Sequence, residues 1–99
     1  MPLERRAILT VMIYDISSDR KRDQMHALLK QFGVAVQESA FEARLSPSER
    51  ERLADRAGRL IDPETDRFII YTVAAPQEQH IVCIGKERPK IVAETYYIA

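Results

Sequence analysis

Val34–Leu45 reads VAVQESAFEARL, and whether this stretch runs straight or turns back on itself decides the fold. Val34, Val36 and Phe41 favour a pleated, half-buried strand. No Asn-Gly or Pro-Gly marks a hairpin within it. The pattern therefore allows one long strand, or two short strands with a bend near Gln37–Ala40.

The flanks narrow the choice. Upstream, Ala7–Tyr14 reads AILTVMIY, almost continuously apolar, with β-branched Ile8, Val11 and Ile13. Such a run fits a strand buried on both sides, near the centre of a sheet. Asp15 stops it. Ser17 and Ser18 can cap a helix, and Asp19 suits a helix N-terminus. Met25, Leu28, Leu29 and Phe32 then fall on one helical face, with Gly33 as a fitting stop. The spacing predicts a helix from about Asp19 to Phe32. Downstream, Ser46 is an N-cap, Pro47 takes the first helical position and Glu49 completes a capping box. Leu53, Ala57, Leu60 and Ile61 make the apolar stripe of this second helix, which Asp62-Pro63 ends. Arg67–Val73, RFIIYTV, is strongly β-prone, and Ala75-Pro76-Gln77 breaks it. His80–Ile84, ended by Gly85, and Lys90–Ile98, with Tyr96 and Tyr97, are expected as short final strands.

With a hairpin at Val34–Leu45 the order becomes βαββαβ, an α+β, ferredoxin-like arrangement. Two helices then cover one face of an antiparallel sheet. The other face stays apolar, because the central strand is apolar on both sides. An uncovered apolar face on so small a chain argues for a partner, most simply a second copy across a twofold axis. Residues 1–78 are expected as the ferredoxin-like domain. Residues 79–99 are expected as a C-terminal strand segment that pairs with the other protomer of a homodimer.

Composition sets outer bounds. The chain has 99 residues, enough for one domain with a modest core. Basic and acidic residues number 15 each, so the formal charge is zero. Nucleic-acid binders usually carry a basic excess, so any basic patch here must come from uneven placement of charges. The single cysteine, Cys83, has no internal partner and fits a reducing cytoplasm. No apolar run approaches the roughly 20 residues that span a membrane. Basic residues precede Ala7–Tyr14, but Asp15 follows at once without a small-residue cleavage site, so no signal peptide is expected. The expected location is cytoplasmic, with no membrane partner.

Four segments together resemble the CRISPR-associated Cas-two family. These are Tyr14-Asp15-Ile16 followed by Ser17-Ser18-Asp19-Arg20-Lys21-Arg22; Gln37-Glu38-Ser39-Ala40-Phe41-Glu42; Leu45-Ser46-Pro47-Ser48-Glu49; and Ile61-Asp62-Pro63 ahead of Ile69-Ile70-Tyr71. The resemblance covers roughly residues 7–75. Ala40 stands where valine is usual, and Gln24 and Ala35 occupy places where some nuclease-active relatives carry arginine. The resemblance implies a homodimer that takes part in acquiring CRISPR spacers. That dimer bridges subunits of the integrase, the Cas-one protein, and lies against duplex DNA. It also implies possible endonuclease activity, dependent on magnesium or manganese, on RNA or double-stranded DNA. An unrelated toxin-like ribonuclease or a ferredoxin-like ligand-sensing domain is the alternative reading.

Asp15 is the candidate catalytic and metal-facing residue. Magnesium often takes one or two carboxylates together with waters and phosphate. One Asp15 is a poor site, whereas two copies brought together across a twofold axis would share one. On its residue type alone, Asp15 also reads as a polar strand terminus that caps the loop to the first helix. Asp19 reads as a helix-terminus acid. Arg20, Lys21 and Arg22 are candidates for phosphate contact, as are Arg52, Arg56 and Arg59, which share one face of the second helix. Glu49, Glu51 and Asp55 are interspersed with those arginines, so surface ion pairs are the competing account.

Overall fold

The chain turns at Glu38–Ser39, and VAVQESAFEARL is a hairpin. In the computed structural model, which describes residues 7–91, strand β2 is Val34–Gln37 and β3 is Ala40–Leu45. They pair antiparallel with a register irregularity between Ala35 and Gln37. The turn is held from outside. Tyr14 donates its amide to the Ser39 carbonyl at 3.1 Å and its hydroxyl to the Glu38 carbonyl at 3.2 Å. A reversal held by a neighbouring strand needs no turn signal of its own.

Strand β1 is Ile8–Asp15 and β4 is Arg67–Val73; helix α1 is Asp19–Lys30, α2 is Pro47–Gly58 and α3 is Ala75–Glu78. The sheet order is β2-β3-β1-β4, with β1 antiparallel to both neighbours. This is the ferredoxin-like α+β arrangement, with the apolar run of β1 at the centre of the sheet. Ser18 caps α1 by accepting the Lys21 amide, and Ser46 with Glu49 forms a complete capping box on α2. Helix α1 ends at Lys30, two residues short of the expected Phe32, yet Phe32 stays buried. Gly33 has an ordinary negative φ, so it is not needed as a left-handed stop. It is needed for close approach: a Cβ there would lie 2.2 Å from the Glu42 carbonyl oxygen and 2.7 Å from the Ala43 Cβ.

The core lies between α1, α2 and one sheet face. Met12, Tyr14, Phe41, Ala43 and Leu45 pack there with Met25, Leu28, Leu29, Phe32, Leu53 and Ala57. By strand alternation Leu9, Val11, Ile13 and Asp15 point the other way. The register sets Tyr71 opposite Val11 and Ile69 opposite Ile13. On this second face Ile13 is 37% and Tyr71 53% exposed while Leu9 is fully buried, so the expected open apolar surface is present only toward the Asp15 end.

The C-terminal segment departs from expectation. Ala75-Pro76-Gln77 does not merely break β4; it begins α3, which lies against β1. His80–Ile84 is not a strand. An isolated strand needs a sheet edge to satisfy its backbone, and here the segment is tied across the second sheet face by side chains. Arg44 makes a double hydrogen bond to Glu78, at 2.9 and 2.5 Å, and donates Nε to the Ile91 carbonyl at 3.3 Å. Arg88 pairs with Glu42. Val82 and Ile84 are left exposed. The expected strand Lys90–Ile98 lies, from 92 onward, outside the described residues. No described helix is long and apolar enough to cross a membrane.

Candidate nucleic-acid site

At its carboxyl end β1 delivers two consecutive side chains to different surroundings. Tyr14 turns inward and is almost fully buried; burial, then the nearby Glu38 carboxylate, raises its hydroxyl above the usual pKa. Asp15 turns outward and is exposed. Both border a cleft of about 590 Å³ that Arg22, Asp23, His26 and Glu38 also line. The His26 ring meets Phe41 edge-on, with centroids 5.1 Å apart, which fixes one wall.

The loop leaving Asp15 is held without help from Asp15. Ser18 supplies the helix cap. Arg22 donates to the Ile16 carbonyl at 2.9 Å and pairs with Asp19. Asp66 accepts the Ser17 amide at 3.0 Å and the Ser17 hydroxyl at 3.2 Å through Oδ1. Its Oδ2 accepts the Asp62 amide at 2.8 Å. These bonds hold the Asp66 carboxyl at about 2, with the Asp62 amide the largest cause and the Ser17 amide next. The Asp15 carboxylate itself makes no hydrogen bond or ion pair among the described residues. The loop-capping account of Asp15 therefore fails.

The other candidate residues divide. Arg22 joins Asp15 at the cleft, although part of its guanidinium is engaged with the loop. Arg20 is exposed on the first turn of α1, and Lys21 is partly buried beside the cap. The α2 arginines do not form a free basic stripe. Arg59 pairs with Asp55 at 2.7 Å, as the interspersed acids suggested. Arg56 donates to Gln31 at 3.2 Å and lies over the Phe32 ring at 5.7 Å. Arg52 is exposed and without a partner among the described residues. Asp66 was not anticipated. The available signal was a second aspartate closing the Asp62-Pro63-Glu64-Thr65 turn immediately before a strand.

The polar donors around the cleft include oxygen ligands, the Asp15, Asp23 and Glu38 carboxylates, of the kind magnesium and manganese accept. They do not converge within one chain: no group of three or more His, Cys, Asp or Glu is gathered among the described residues. One protomer thus supplies suitable ligand chemistry but only part of a site.

Fold and site together define a small ferredoxin-like α+β protein with an exposed aspartate, unpartnered among the described residues, at the end of its central strand, on the sheet face opposite α1 and α2. Comparison with known proteins narrows the class. The family model for the CRISPR associated protein Cas2 matches residues 8–81, and the chain belongs to that family. It is 37% identical over 86 residues to a CRISPR-associated endoribonuclease Cas2 of Chloroflexus aurantiacus, covering 86% of this chain and 92% of that one. It is 41% identical over 70 residues to a CRISPR-associated endonuclease Cas2 of Thermus thermophilus, covering 71% of this chain and 78% of that one. Among solved structures, a hypothetical protein from Thermus thermophilus superposes with a TM-score of 0.72 at 36% identity, over 85% of this chain and 96% of that one. The Cas2 of Streptococcus pyogenes shares the fold, with a TM-score of 0.69 at 22% identity over 79% of this chain and all of that one.

Proposed function

We propose that this chain is a homodimeric nucleic-acid-handling subunit of CRISPR adaptation. In this reading it bridges Cas-one integrase subunits during spacer acquisition in the cytoplasm. It also hydrolyses a phosphodiester, in RNA or double-stranded DNA, at a site built from two copies of Asp15. The observation that carries the reading is the placement of Asp15. An exposed carboxylate with no partner among the described residues sits opposite Arg67 in the register, on the same sheet face as Val11, Ile13, Ile69 and Tyr71. Closing that apolar face against a second copy brings the two Asp15 side chains toward one another.

The residues then have distinct tasks. Paired Asp15 carboxylates would repel each other if nothing lay between them. A magnesium or manganese ion, if held by the two Asp15 carboxylates, would supply a Lewis acid for the phosphate and a more acidic water. Arg22, at the cleft wall, offers its remaining guanidinium donors to a phosphate oxygen. Arg20, Lys21 and Arg52 add phosphate contacts along the flanks, while Arg56 and Arg59 contribute less because each already has a partner. To exchange onto the partner's sheet, the segment beyond Glu78 would have to give up its Arg88–Glu42 pair within one chain; the exchange would remove an open edge and leave the rest of the surface to dock the integrase. The curated relatives' names, endoribonuclease and endonuclease, support the hydrolytic part.

The test uses one folded, purified Asp15→Asn variant in two assays. Cleavage of single-stranded RNA and of duplex DNA should require the divalent ion and be lost. Dimerisation, DNA binding and support of spacer integration with the Cas-one integrase should persist. Undiminished cleavage in Asp15→Asn rules out the paired-aspartate site. Absence of any cleavage by the unmodified protein, with integration intact, leaves a purely architectural subunit.

A further inference from the structure

Asp15 is only as well placed as the backbone on either side of it. On the upstream side the Tyr14 amide and hydroxyl are both bonded to the β2–β3 turn, at Ser39 and Glu38. On the downstream side the chain leaves the sheet, and a loop beginning there would ordinarily be free to fray. It is held at the Ile16 carbonyl by Arg22, and at the Ser17 amide by a residue 49 positions away, Asp66. Asp66 is partly buried and stands at the entry to β4, next to Arg67, which lies opposite Asp15 in the sheet register. One carboxylate therefore joins two loops: Oδ1 takes the Ser17 amide and hydroxyl, and Oδ2 takes the Asp62 amide. The Thr65 hydroxyl donates to Oδ1 at 3.1 Å, and the Ser17 hydroxyl also reaches the Thr65 carbonyl at 3.3 Å.

We infer that Asp66 is a positioning residue for Asp15, acting through Ser17 to hold the loop after β1 so that the Asp15 carboxylate keeps one direction. The inference rests on the reading of Asp15 given above. Only an ionised carboxylate can do this at both ends. Its two oxygens face two backbone N–H donors, so an amide in the same place must set its own NH2 against one of them. Asp66→Asn keeps the shape and must release either Ser17 or Asp62. An active-site carboxylate off its productive direction by a few tenths of an ångström loses rate, while the surfaces that bind nucleic acid are untouched.

The experiment compares full-length dimers of unmodified protein, Asp66→Asn and Asp15→Asn, with manganese as the ion and single-stranded RNA and duplex DNA as substrates. In Asp66→Asn, kcat should fall about ten- to a hundredfold, the usual effect of removing a group that orients a ligand. KM and DNA affinity should stay unchanged, and the manganese concentration for half-maximal rate should rise. Asp66→Glu, which retains both acceptors on a longer arm, should recover part of the rate. Hydrogen exchange on the unmodified protein adds a readout that needs no variant to fold: the Ser17 and Asp62 amides should both be protected, and in Asp66→Asn protection should drop at whichever of the two faces the new NH2. A Ser17 amide exchanging at free-loop rates in the unmodified protein overturns the inference. So does an unmodified kcat in Asp66→Asn alongside an inactive Asp15→Asn. Cleavage that survives in Asp15→Asn instead refutes the reading of the site, whatever Asp66 does to the loop.

Discussion

Truncating Tyr71 to alanine should weaken both assembly and folding, and concentration dependence tells the two apart. Tyr71 lies on the open sheet face opposite Val11, and 53% of it is exposed in a single chain. A tyrosine can bury roughly 200 Å², so about 100 Å² of Tyr71 is available to a partner. At about 25 cal/mol per Å² that area is worth about 2.5 kcal/mol, of which an alanine keeps a small part. A loss of about 2 kcal/mol per copy counts twice across a twofold axis, giving about 4 kcal/mol or roughly a thousandfold in the dimer dissociation constant. The half of the side chain already buried in the single chain is worth a similar amount, about 2 kcal/mol, so the monomer's melting temperature should fall as well. Sedimentation equilibrium over a wide concentration range reads the dissociation constant, and thermal unfolding at concentrations below it reads the monomer. If the proposed Asp15 site needs both copies, cleavage per protomer should fall with the dimer fraction and return at high concentration. An unchanged dissociation constant in Tyr71→Ala, or an unmodified protein that is monomeric at micromolar concentration, refutes closure through this face.

Two further outcomes follow from the charged groups. Asp66 is held at about 2 against an ordinary value of 3.8, so its contribution to stability is complete above the ordinary value. That contribution fades as pH falls from there through about 2, so urea midpoints should drop across that window and drop less in Asp66→Asn. Arg52, exposed and unpartnered, should contribute about 1 to the slope of log affinity for duplex DNA against log salt. Arg52→Ala should lower that slope, whereas Arg59→Ala, which breaks a pair with Asp55, should change it less; equal slopes in all three proteins remove α2 from the interface.

How far the sequence could be read depended on whether each device was local. The capping box at Ser46–Glu49 and the β-prone run Arg67–Val73 are local, and the structure places both where the pattern does. The continuous apolar run of β1 announces a central strand, but not that α3 and the segment after it would cover the Leu9 end of its second face. The hairpin at Glu38–Ser39 could only be inferred from the order of elements, because the bonds that hold it come from Tyr14. Asp66 was invisible for the same reason: its partner Ser17 lies 49 residues away, and a turn aspartate before a strand has many bland explanations. Gly33 was read as a helix stop when its real constraint is the backbone of β3. The tail misled because His80–Ile84 has strand composition, whereas the ion pairs Arg44–Glu78 and Arg88–Glu42 decide where it lies in one chain.

The register of β1 ties the site to the fold. Tyr14 and Asp15 are adjacent, and alternation sends one to the core and the other to the open face. Tyr14 pairs in register with Phe68 and Asp15 with Arg67, and the Tyr14 hydroxyl fixes the hairpin turn. A slip of one residue would bury Asp15 under α1 and expose Tyr14, undoing core and site together. The same packing that makes the sheet stable therefore leaves no freedom in where the carboxylate emerges. It emerges on the face that carries Val11, Ile13 and Tyr71, so the exposed apolar surface and the placement of the acid are consequences of one strand and its neighbour. Two of the arginines on or beside α2 are committed to holding the protein itself together, Arg56 to Gln31 and Arg59 to Asp55, so in a chain with no net charge the proposed contact with nucleic acid would rest on a few fixed points.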